Sequence, residues 1–322
     1  MCLLACLVFL LAGCRLLPAT TPSVTLALLG DISLGRGLSQ AHQDGDWQLA
    51  LHPLQPVLKR ASLALANLES PLTGQVLLDP GGGYNLCAPS KSVRALTAAG
   101  LDLLSLANNH QDDCLEGGLD QTRQILESSG LVGLSPELVP VIREVNGLKL
   151  AFLAFDDVGA ELDITTAQDA IAAADTGMNI VVVSVHWGAE YQASPTPRQR
   201  KIAAAFSEAG ADIIWGHHPH VLQRMEWYES TIDGHRGLVM YSLGNLLADQ
   251  WMLPDAMRTA LARIDFINHE IKRIQVLPLQ LDAKTGTLQV VTQHELTSLI
   301  SDRLGLDDLD ENGVRIEVGG NK

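Results

Sequence analysis

The chain is poor in basic residues, and those that it has are scattered. Its 322 residues include 22 Lys and Arg against 37 Asp and Glu, which gives a formal net charge of -15. Proteins that bind nucleic acid neutralise phosphates with clustered Lys and Arg, and no such cluster occurs here. The sequence therefore argues against a nucleic-acid partner. A phosphorylated or polycarboxylate substrate would need a local cation, which a bound metal ion would provide.

Three common sequence signatures are also missing. The chain has no Gly-x-Gly-x-x-Gly dinucleotide fingerprint, no Gly-x-Ser-x-Gly nucleophile elbow and no convincing internal repeat. Their absence argues against a nucleotide-cofactor enzyme and a serine hydrolase. With 47% hydrophobic and 18% charged residues, the composition is that of a globular protein with one large domain or two small ones.

The N-terminus is apolar but too short to span a membrane as a mature helix. It ends in Leu11-Ala12-Gly13-Cys14, which resembles a bacterial lipobox. We interpret residues 1–13 as a lipoprotein signal peptide and residues 14–23 as a lipidated tether. No Lys or Arg precedes the apolar run, so the true start lies upstream or the signal is atypical; the alternative is a short apolar helix of the fold. On the first interpretation, lipid on Cys14 anchors the protein to a bacterial membrane outside the cytoplasm. If the cell has two membranes, Arg15 fits an outer-membrane lipoprotein facing the periplasm.

Cysteine is scarce, and most of it belongs to this N-terminal segment. Cys2 and Cys6 leave with the signal peptide and Cys14 takes the lipid, so Cys87 and Cys114 remain. In an oxidising compartment these two residues can form a disulfide. Two buried thiols are the alternative, since spacing alone does not give the distance between them.

Apolar stretches of strand length recur, and each is followed by polar side chains of the kinds that bind metals. The stretches are residues 24–29, 62–66, 101–107, 180–185 and 213–215. Uniformly apolar strands are typical of a sheet covered on both faces, and α/β sheets bind ligands at the carboxyl ends of their strands. The polar residues after the five stretches are, in chain order, Asp31; Asn67 and Glu69; Asn108, Asn109 and His110; His186 and Glu190; and His217, His218 and His220. Their recurrence predicts one shared site, although Asp31 alone would fit a turn or a helix N-cap and the three imidazoles alone a solvated His-rich turn.

The remaining pattern indicates an α/β fold in one domain over residues 24–322. Helical spacing occurs over residues 49–58, 92–99, 118–129, 165–174 and 197–209, and Asn146-Gly147 predicts a tight hairpin turn. A further strand over residues 237–241 leads to Asn245. Beyond about residue 256 the pattern predicts antiparallel strands because the links between them are short. The acidic residues 307–311 are interpreted as a solvated surface.

Taken in order, the strand ends resemble the poly-gamma-glutamate capsule-synthesis (CapA-type) family, which shares the metallophosphoesterase fold. The resemblance covers roughly residues 24–250, called the core motifs. The matching segments are Gly30-Asp31; Asn67-Leu68-Glu69-Ser70-Pro71; Ala107-Asn108-Asn109-His110 with Asp113 and Gly118; His186-Trp187-Gly188-Ala189-Glu190-Tyr191; Gly216-His217-His218-Pro219-His220-Val221; and Tyr241-Ser242-Leu243-Gly244-Asn245. The resemblance implies a four-layer αββα sandwich of metallophosphoesterase type, with antiparallel C-terminal strands over residues 256–322, whose loops gather around one or two divalent transition metals.

The resemblance also implies individual roles. His110 corresponds to the histidine that protonates a leaving group, and His217 is an alternative to His218 as a ligand. The implied metal ligands are Asp31, Asn67, Glu69, Asn109, His186, His218 and His220. The implied supporting residues are Ser33, Asp113, His217, Glu190 and Asn245. This mixture of imidazole, carboxylate and amide oxygen suits Mn, Fe or Zn better than Ca.

The chain departs from the family pattern at a few positions. Ser33 stands where most metallophosphoesterases have a histidine, as is usual in the CapA-like branch, so one metal position has one imidazole fewer. Leu246 replaces a frequent aromatic residue. Cys87 and Cys114 also fall where the family tends to place aromatics, and on that basis we hypothesise a disulfide that fixes the loop of His110.

The resemblance implies a membrane-anchored, extracytoplasmic role in making or exporting a poly-gamma-glutamate-like capsule polymer. A metal-dependent hydrolase site would act on an anionic polymer or a phosphorylated substrate, in company with polymer synthase or export proteins. Two alternatives stay open: a lipid-anchored, non-catalytic scaffold or polymer-binding protein, and a metal-dependent amide hydrolase or transferase that acts on the polymer.

Overall fold

The computed structural model describes residues 21, 23–74, 85–114, 117–306 and 314–317. The predicted signal peptide, Cys14 and most of the predicted tether lie outside the described residues. Within these ranges, no helix has both the length and the apolar character needed to cross a membrane.

Strands dominate the fold. In chain order they are β1 (Ser23–Ile32), β2 (Leu63–Leu68), β3 (Leu72–Thr73), β4 (Ala88–Pro89), β5 (Leu103–Ser105), β6 (Val132–Leu134), β7 (Val141–Val145), β8 (Leu148–Asp156), β9 (Ile180–His186), β10 (Ile213–His217), β11 (Leu222–Glu229), β12 (Arg236–Leu243), β13 (Asn245–Leu247), β14 (Arg258–Ile267), β15 (Glu270–Asp282), β16 (Thr287–Val290) and β17 (Val314–Glu317). The α-helices are α1 (Arg36–Ala41), α2 (Gln55–Leu58), α3 (Val93–Ala99), α4 (Gly118–Ser128), α5 (Ile164–Asp175), α6 (Pro197–Glu208) and α7 (His294–Leu304).

The strands form two large mixed sheets. The first has the order β16-β15-β14-β1-β2-β5-β6, with β13 paired to β1 and β17 to β15, and the second has the order β11-β12-β10-β9-β8-β7. In the middle of each sheet the neighbours run parallel, as in β1 with β2 and β9 with β10. The carboxyl ends of the central strands therefore lie together at one edge of each sheet.

Alternating side chains of the central strands enter different cores. In β1, Leu26 and Leu28 face the second sheet, where they share a hydrophobic cluster with Val182 of β9. The intervening residue Ala27, together with Leu29, belongs to a second cluster with the helices on the outer face of the first sheet. A third cluster lies between the second sheet and α5 and α6, and includes Phe206. This period of two explains why the strands are apolar on both faces.

Several sequence predictions are confirmed. The fold is α/β, the hairpin of β7 and β8 turns at Asn146 and Gly147, which both have positive φ, and β14 and β15 are antiparallel. The helix predicted after Thr196 begins at Pro197 with a capping box between Thr196 and Gln199.

Two sequence predictions are wrong. The single helix expected over residues 49–58 is split into short 3-10 turns at Trp47–Leu49 and His52–Leu54 followed by α2. Pro53 and Pro56 lack the backbone N–H that a continuous helix needs, which accounts for the break. The C-terminal part is not only strands, since α7 stands between β16 and β17; its buried Thr297, Ile300 and Leu304 recur at helical spacing.

The structure joins Cys87 and Cys114 in a disulfide across 27 positions of sequence, with their Cα atoms 5.0 Å apart. Both cysteines are buried. The bridge ties the segment before β4 to the turn that follows His110.

We expect replacement of both cysteines by serine to lower the free energy of unfolding by about 3 kcal/mol, because the closed loop restricts the unfolded chain. Urea unfolding of the oxidised protein and of the Cys87→Ser/Cys114→Ser variant measures this loss. A free-thiol count on both denatured, non-reduced proteins is the control. The two counts should be equal, and two extra thiols in the parent protein would contradict the bridge.

Candidate metal centre

The carboxyl ends of four central strands meet where the two sheets face each other. Asp31 of β1 is in register with Asn67 of β2, and His186 of β9 is in register with His217 of β10. The sheets are joined at this edge by a 2.8 Å contact between Nδ1 of His217 and Oδ1 of Asp31. The convergence that the sequence predicted for these segments is therefore present.

The carboxylate of Asp31 lies at the centre of this junction and is buried. Its Oδ1 accepts a hydrogen bond from Nδ2 of Asn67 at 2.9 Å, in addition to the contact with His217. Its Oδ2 accepts from the backbone N–H of His218 at 3.1 Å and lies 3.4 Å from Nδ1 of His220. Asn67 and His217 thus hold the carboxylate in a fixed orientation.

Glu69 lies beside Asp31 with an oxygen atom that is poorly satisfied. Its Oε1 is buried without a hydrogen-bond partner among the described residues. The same atom lies 3.5 Å from Nε2 of His186 and 3.6 Å from Nε2 of His220. Two donor atoms bound about 2.1 Å from a tetrahedral ion would be about 3.4 Å apart. Each of the two distances from Oε1 of Glu69 therefore fits a pair of ligands that share a cation.

Three overlapping groups of side chains have ligand atoms within 4.8 Å of one another and could hold a metal ion. They are Glu69, His186 and His218; Glu190, His218 and His220; and Asp31, Glu69 and His220. His218 and His220 thus enter such groups, whereas His217 contacts Asp31 instead. Nδ1 of His218 is also buried without a hydrogen-bond partner in the described part of the chain. A cation would satisfy these atoms, so the residues fit a bound metal.

The turn that carries His218 and His220 has a strained backbone. His218 has φ 91° and His220 has φ 59°, in the left-handed region that residues other than glycine seldom adopt. Gly216, just before the turn, is required because a Cβ there would lie 2.3 Å from the backbone oxygen of Tyr241 and 2.4 Å from Nε1 of Trp187. In this backbone conformation, the imidazoles of His218 and His220 lie close to the carboxylate of Glu69.

The tautomer of His220 follows from its neighbour Asn245. The amide nitrogen of Asn245 donates to Oε1 of Gln250 at 2.7 Å and to the carbonyl of Ala256 at 3.2 Å. Its Oδ1 must therefore accept from Nδ1 of His220, 3.0 Å away, so Nε2 of His220, which faces Glu69, is the nitrogen that would bind a metal once it loses its proton. Asn245, predicted as a supporting residue, thus orients the ring of His220, which is predicted as a ligand.

Burial and neighbouring charges separate the pKa values within the cluster. Burial alone would raise the pKa of Asp31, but hydrogen bonds and charge from His217 and His220 hold it well below its usual range. Burial raises the pKa of Glu69 to about 7. Burial opposes the charge of His220, yet Glu69 and Asp31 raise its pKa to about 9. Burial and the charge of other histidines lower the pKa of His186 and bring that of His218 to about 4, so both stay in the neutral form that binds metals.

His110 lies at the side of the cluster and is paired with Asp113. Nδ1 of His110 lies 2.8 Å from Oδ2 of Asp113, which also accepts from the backbone N–H of Leu86 at 2.6 Å. Partial burial lowers the pKa of His110, but the hydrogen bond to Asp113 and the charge of Glu69 outweigh it and raise the pKa above its usual value. Because Asp113 engages Nδ1, Nε2 is the nitrogen left to hold or transfer a proton.

The cluster opens into a small cleft of about 110 Å³, here called the metal-site cleft. It is lined by Ser33, Arg36, Glu69, Leu86, His110, Glu190, Tyr191, His220, Ala248 and Gln250. The sequence interpretation assigned no role to Arg36, Tyr191 or Gln250. Arg36 donates from Nε to Oδ2 of Asp249 at 3.1 Å. It is the only Lys or Arg within residues 30–37, 67–71, 107–114, 186–191 and 216–221, and this signal could have identified it.

The remaining predicted residues lie in or beside the cluster. Ser33 is buried, and its Oγ has no hydrogen-bond partner within the described ranges. Oδ1 of Asn109 lies 2.9 Å from Nε2 of His186. Oδ1 of Asn67 lies 3.3 Å from the side-chain amide of Asn108, which also reaches the carbonyl of Leu68. Both polar ends of Asn67 thus contact protein groups.

Comparisons with known proteins follow the same stretch of chain. Residues 25–250 match the family model described as Bacterial capsule synthesis protein PGA_cap. The chain is 32% identical over 257 residues to the Capsule biosynthesis protein CapA of Bacillus anthracis, covering 70% of this chain and 60% of that protein. It is 30% identical over 284 residues to the PGA biosynthesis protein CapA of Bacillus subtilis (strain 168), covering 81% of this chain and 73% of that protein. The chain thus spans less than two thirds of the length of the first relative.

A solved structure supports the fold alone. The crystal structure of a hypothetical protein from Thermus thermophilus is similar with a TM-score of 0.51 and 16% identity, covering 80% of this chain and 99% of that one. The family match extends over more than half of the chain and includes all the converging strand ends. The chain therefore belongs to the bacterial capsule synthesis protein family.

Proposed function

We propose that this protein takes part in the synthesis or export of a poly-gamma-glutamate-like capsule polymer and carries a metal-dependent hydrolase site at its strand-end cluster. The names of the two Bacillus relatives, which refer to capsule and PGA biosynthesis, support the polymer role. The unpartnered Oε1 of Glu69, which belongs with His186 to one ligand group and with His220 to another, carries the proposal of a metal. The three hydrophobic cores are those expected of a four-layer αββα sandwich of metallophosphoesterase type.

The proposed location is extracytoplasmic. Lipid on Cys14 would hold the protein at a bacterial membrane, the outer membrane where two are present, near polymer synthase or export proteins. A disulfide between Cys87 and Cys114 supports this proposal because disulfides persist in oxidising compartments.

We propose distinct roles for the residues of the cluster. Asp31, Glu69, His186, His218 and His220 would hold one or two ions of Mn, Fe or Zn. Such ions supply positive charge to an anionic transition state and lower the pKa of a bound water.

His110 is suited to give a proton to the leaving oxygen. Its raised pKa keeps it protonated to higher pH, and Asp113 fixes its ring so that Nε2 serves the substrate. Arg36 adds a second cation beside the same cleft for an anionic substrate.

We expect His110→Ala to lower the turnover of a generic phosphodiester by about 100-fold or more while keeping its metal, because a general acid contributes to the chemical step alone. His220→Ala should lose its metal, since this residue belongs to two of the three ligand groups. Elemental analysis and turnover are measured on protein purified without chelator, with the exposed His269→Ala as the control. Equal metal loss in His110→Ala and His220→Ala would contradict the assignment.

The same assay separates the alternatives. Parent protein without transition metal and without hydrolysis would favour a scaffold or polymer-binding protein. Metal-dependent cleavage of a gamma-glutamyl amide in place of the phosphodiester would favour the amide hydrolase or transferase.

Metal binding should release protons. His220, with a pKa of about 9, and Glu69, with a pKa of about 7, both hold protons near neutral pH in the metal-free protein, and an ion must displace them. We expect release of about one proton per ion near pH 8, and affinity that falls as the pH drops below about 9 and falls more steeply below about 7. Calorimetry in two buffers of different ionisation enthalpy measures the release. Affinity that does not change with pH would contradict this coupling.

A further inference from the structure

A second cleft concentrates positive charge on this acidic protein. The arginine cleft has a volume of about 310 Å³ and is lined by Ala193, Ser194, Pro195, Arg200, Arg224, Asp302, Arg303 and Gly305. Three of these eight residues are arginine, whereas the whole chain has 22 basic against 37 acidic residues. No residue of the arginine cleft belongs to the metal centre.

The three arginines come from different elements and are held in place by shared carboxylates. Arg200 of α6 and Arg224 of β11 both contact Glu226, each at 3.1 Å. Arg303, in the last turn of α7, lies 3.0 Å from Asp255, which Arg258 also contacts. Because Glu226 is shared by two guanidinium groups of the cleft, that set keeps an excess of one positive charge, and because Asp255 is shared with Arg258, it offsets the charge of Arg303 only in part. A guanidinium has five donors, and these ion pairs occupy only part of them.

The arginine cleft suits a chain of spaced anionic groups better than one compact ion. Arg200, Arg224 and Arg303 remain 46%, 50% and 35% exposed, so each can meet a ligand from its own side of the cleft. Asp302 and Gly305, at the carboxyl end of α7, add negative charge and dipole at one wall and disfavour a small anion placed there.

The arginine cleft adjoins the metal-site cleft through one loop. Tyr191 lines the metal-site cleft and Ala193 lines the arginine cleft. Two residues of chain separate their Cα atoms by at most about 7 Å. The loop is fixed because Tyr191 donates its N–H to the carbonyl of Pro219 at 2.8 Å, and the carbonyl of Gln192 accepts from Nε2 of Gln223 at 2.7 Å.

We propose that the arginine cleft is a binding subsite for an anionic, carboxylate-bearing chain whose reacting bond lies in the metal-site cleft. This inference rests on the proposed function, because it gives the substrate of the metal centre a polyanionic extension. Adjacency along the loop favours a chain that spans both clefts over a lipid headgroup, which would occupy the arginine cleft alone.

The test is binding of a gamma-linked glutamate oligomer to the metal-loaded protein at several salt concentrations. The Arg224→Gln/Arg303→Gln variant should bind about tenfold more weakly or worse, because two charge-assisted contacts are lost. The salt dependence of binding should fall as well. Arg224→Lys/Arg303→Lys should retain most of the affinity because the charge is kept. The matched control is Arg94→Gln/Arg123→Gln, which removes the same charge from exposed positions outside both clefts.

Several results would overturn the proposal. They are unchanged affinity in the Arg224→Gln/Arg303→Gln variant, an equal loss in the control, and equally tight binding of an uncharged gamma-linked glutamine oligomer. Loss of binding to phosphatidylglycerol vesicles with oligomer binding intact would assign the arginine cleft to lipid instead. Neutralisation of the carboxylates in residues 307–311 is a further arm, and a tenfold or larger rise in oligomer affinity would assign the cleft to the chain's own acidic segment.

Metal content and turnover of a small phosphodiester distinguish this proposal from the proposed function. Both should be unchanged in Arg224→Gln/Arg303→Gln. If the parent protein has no metal and no turnover but binds the oligomer through the arginines, the proposed hydrolase site is contradicted and the proposed subsite is supported. If the parent protein binds metal and shows turnover, but its oligomer binding does not depend on the arginines, only the proposed subsite is contradicted.

Discussion

The structure depends on one buried carboxylate, that of Asp31, at the point where the two sheets meet. A charge removed from water is costly unless donors replace the lost solvation. The donors here are the side chain of Asn67 from the first sheet, and the ring of His217 and the backbone N–H of His218 from the second. The charge of Asp31 is satisfied only when both sheets are packed in register, so the packing of the fold and the assembly of the site are one event.

Close backbone approach around this carboxylate makes the arrangement rigid. A Cβ on Gly30 would lie 1.8 Å from the backbone oxygen of Gly244, so the end of β1 can pass the end of β12 only with glycine at that position. The left-handed backbones of His218 and His220 cost about 1–3 kcal/mol each, and the surrounding contacts must offset that cost. The unfavourable backbone and the unpartnered ring and carboxylate atoms occur together, as is common where a site is prepared for a ligand that completes it.

The charge of the whole protein differs from the charge near the two clefts. The protein as a whole is acidic, which disfavours nonspecific contact with polyanions at long range. Near the cluster, Arg36, which is paired with Asp249, and His220, with a pKa of about 9, add positive charge among the carboxylates, and three arginines line the arginine cleft at the other end of the loop that carries Tyr191. On the proposed function, recognition of an anion would be confined to this short stretch of surface.

The sequence by itself determined which segments form the central strands and which polar residues follow them, because a buried strand must be apolar on both faces and must end where polar groups begin. It also determined the Asn146-Gly147 turn and the start of α6, which depend on neighbouring residues only. Tertiary structure decided which donors meet. Only the packing of two sheets places His217 on Asp31 and His220 on Asn245. Only the tertiary fold brings Cys87 to Cys114 and places Arg36 and Tyr191 in the metal-site cleft. Local sequence carries propensity and periodicity, whereas distances between remote segments arise from register and sheet packing. The geometry of the candidate metal centre depends on such distances.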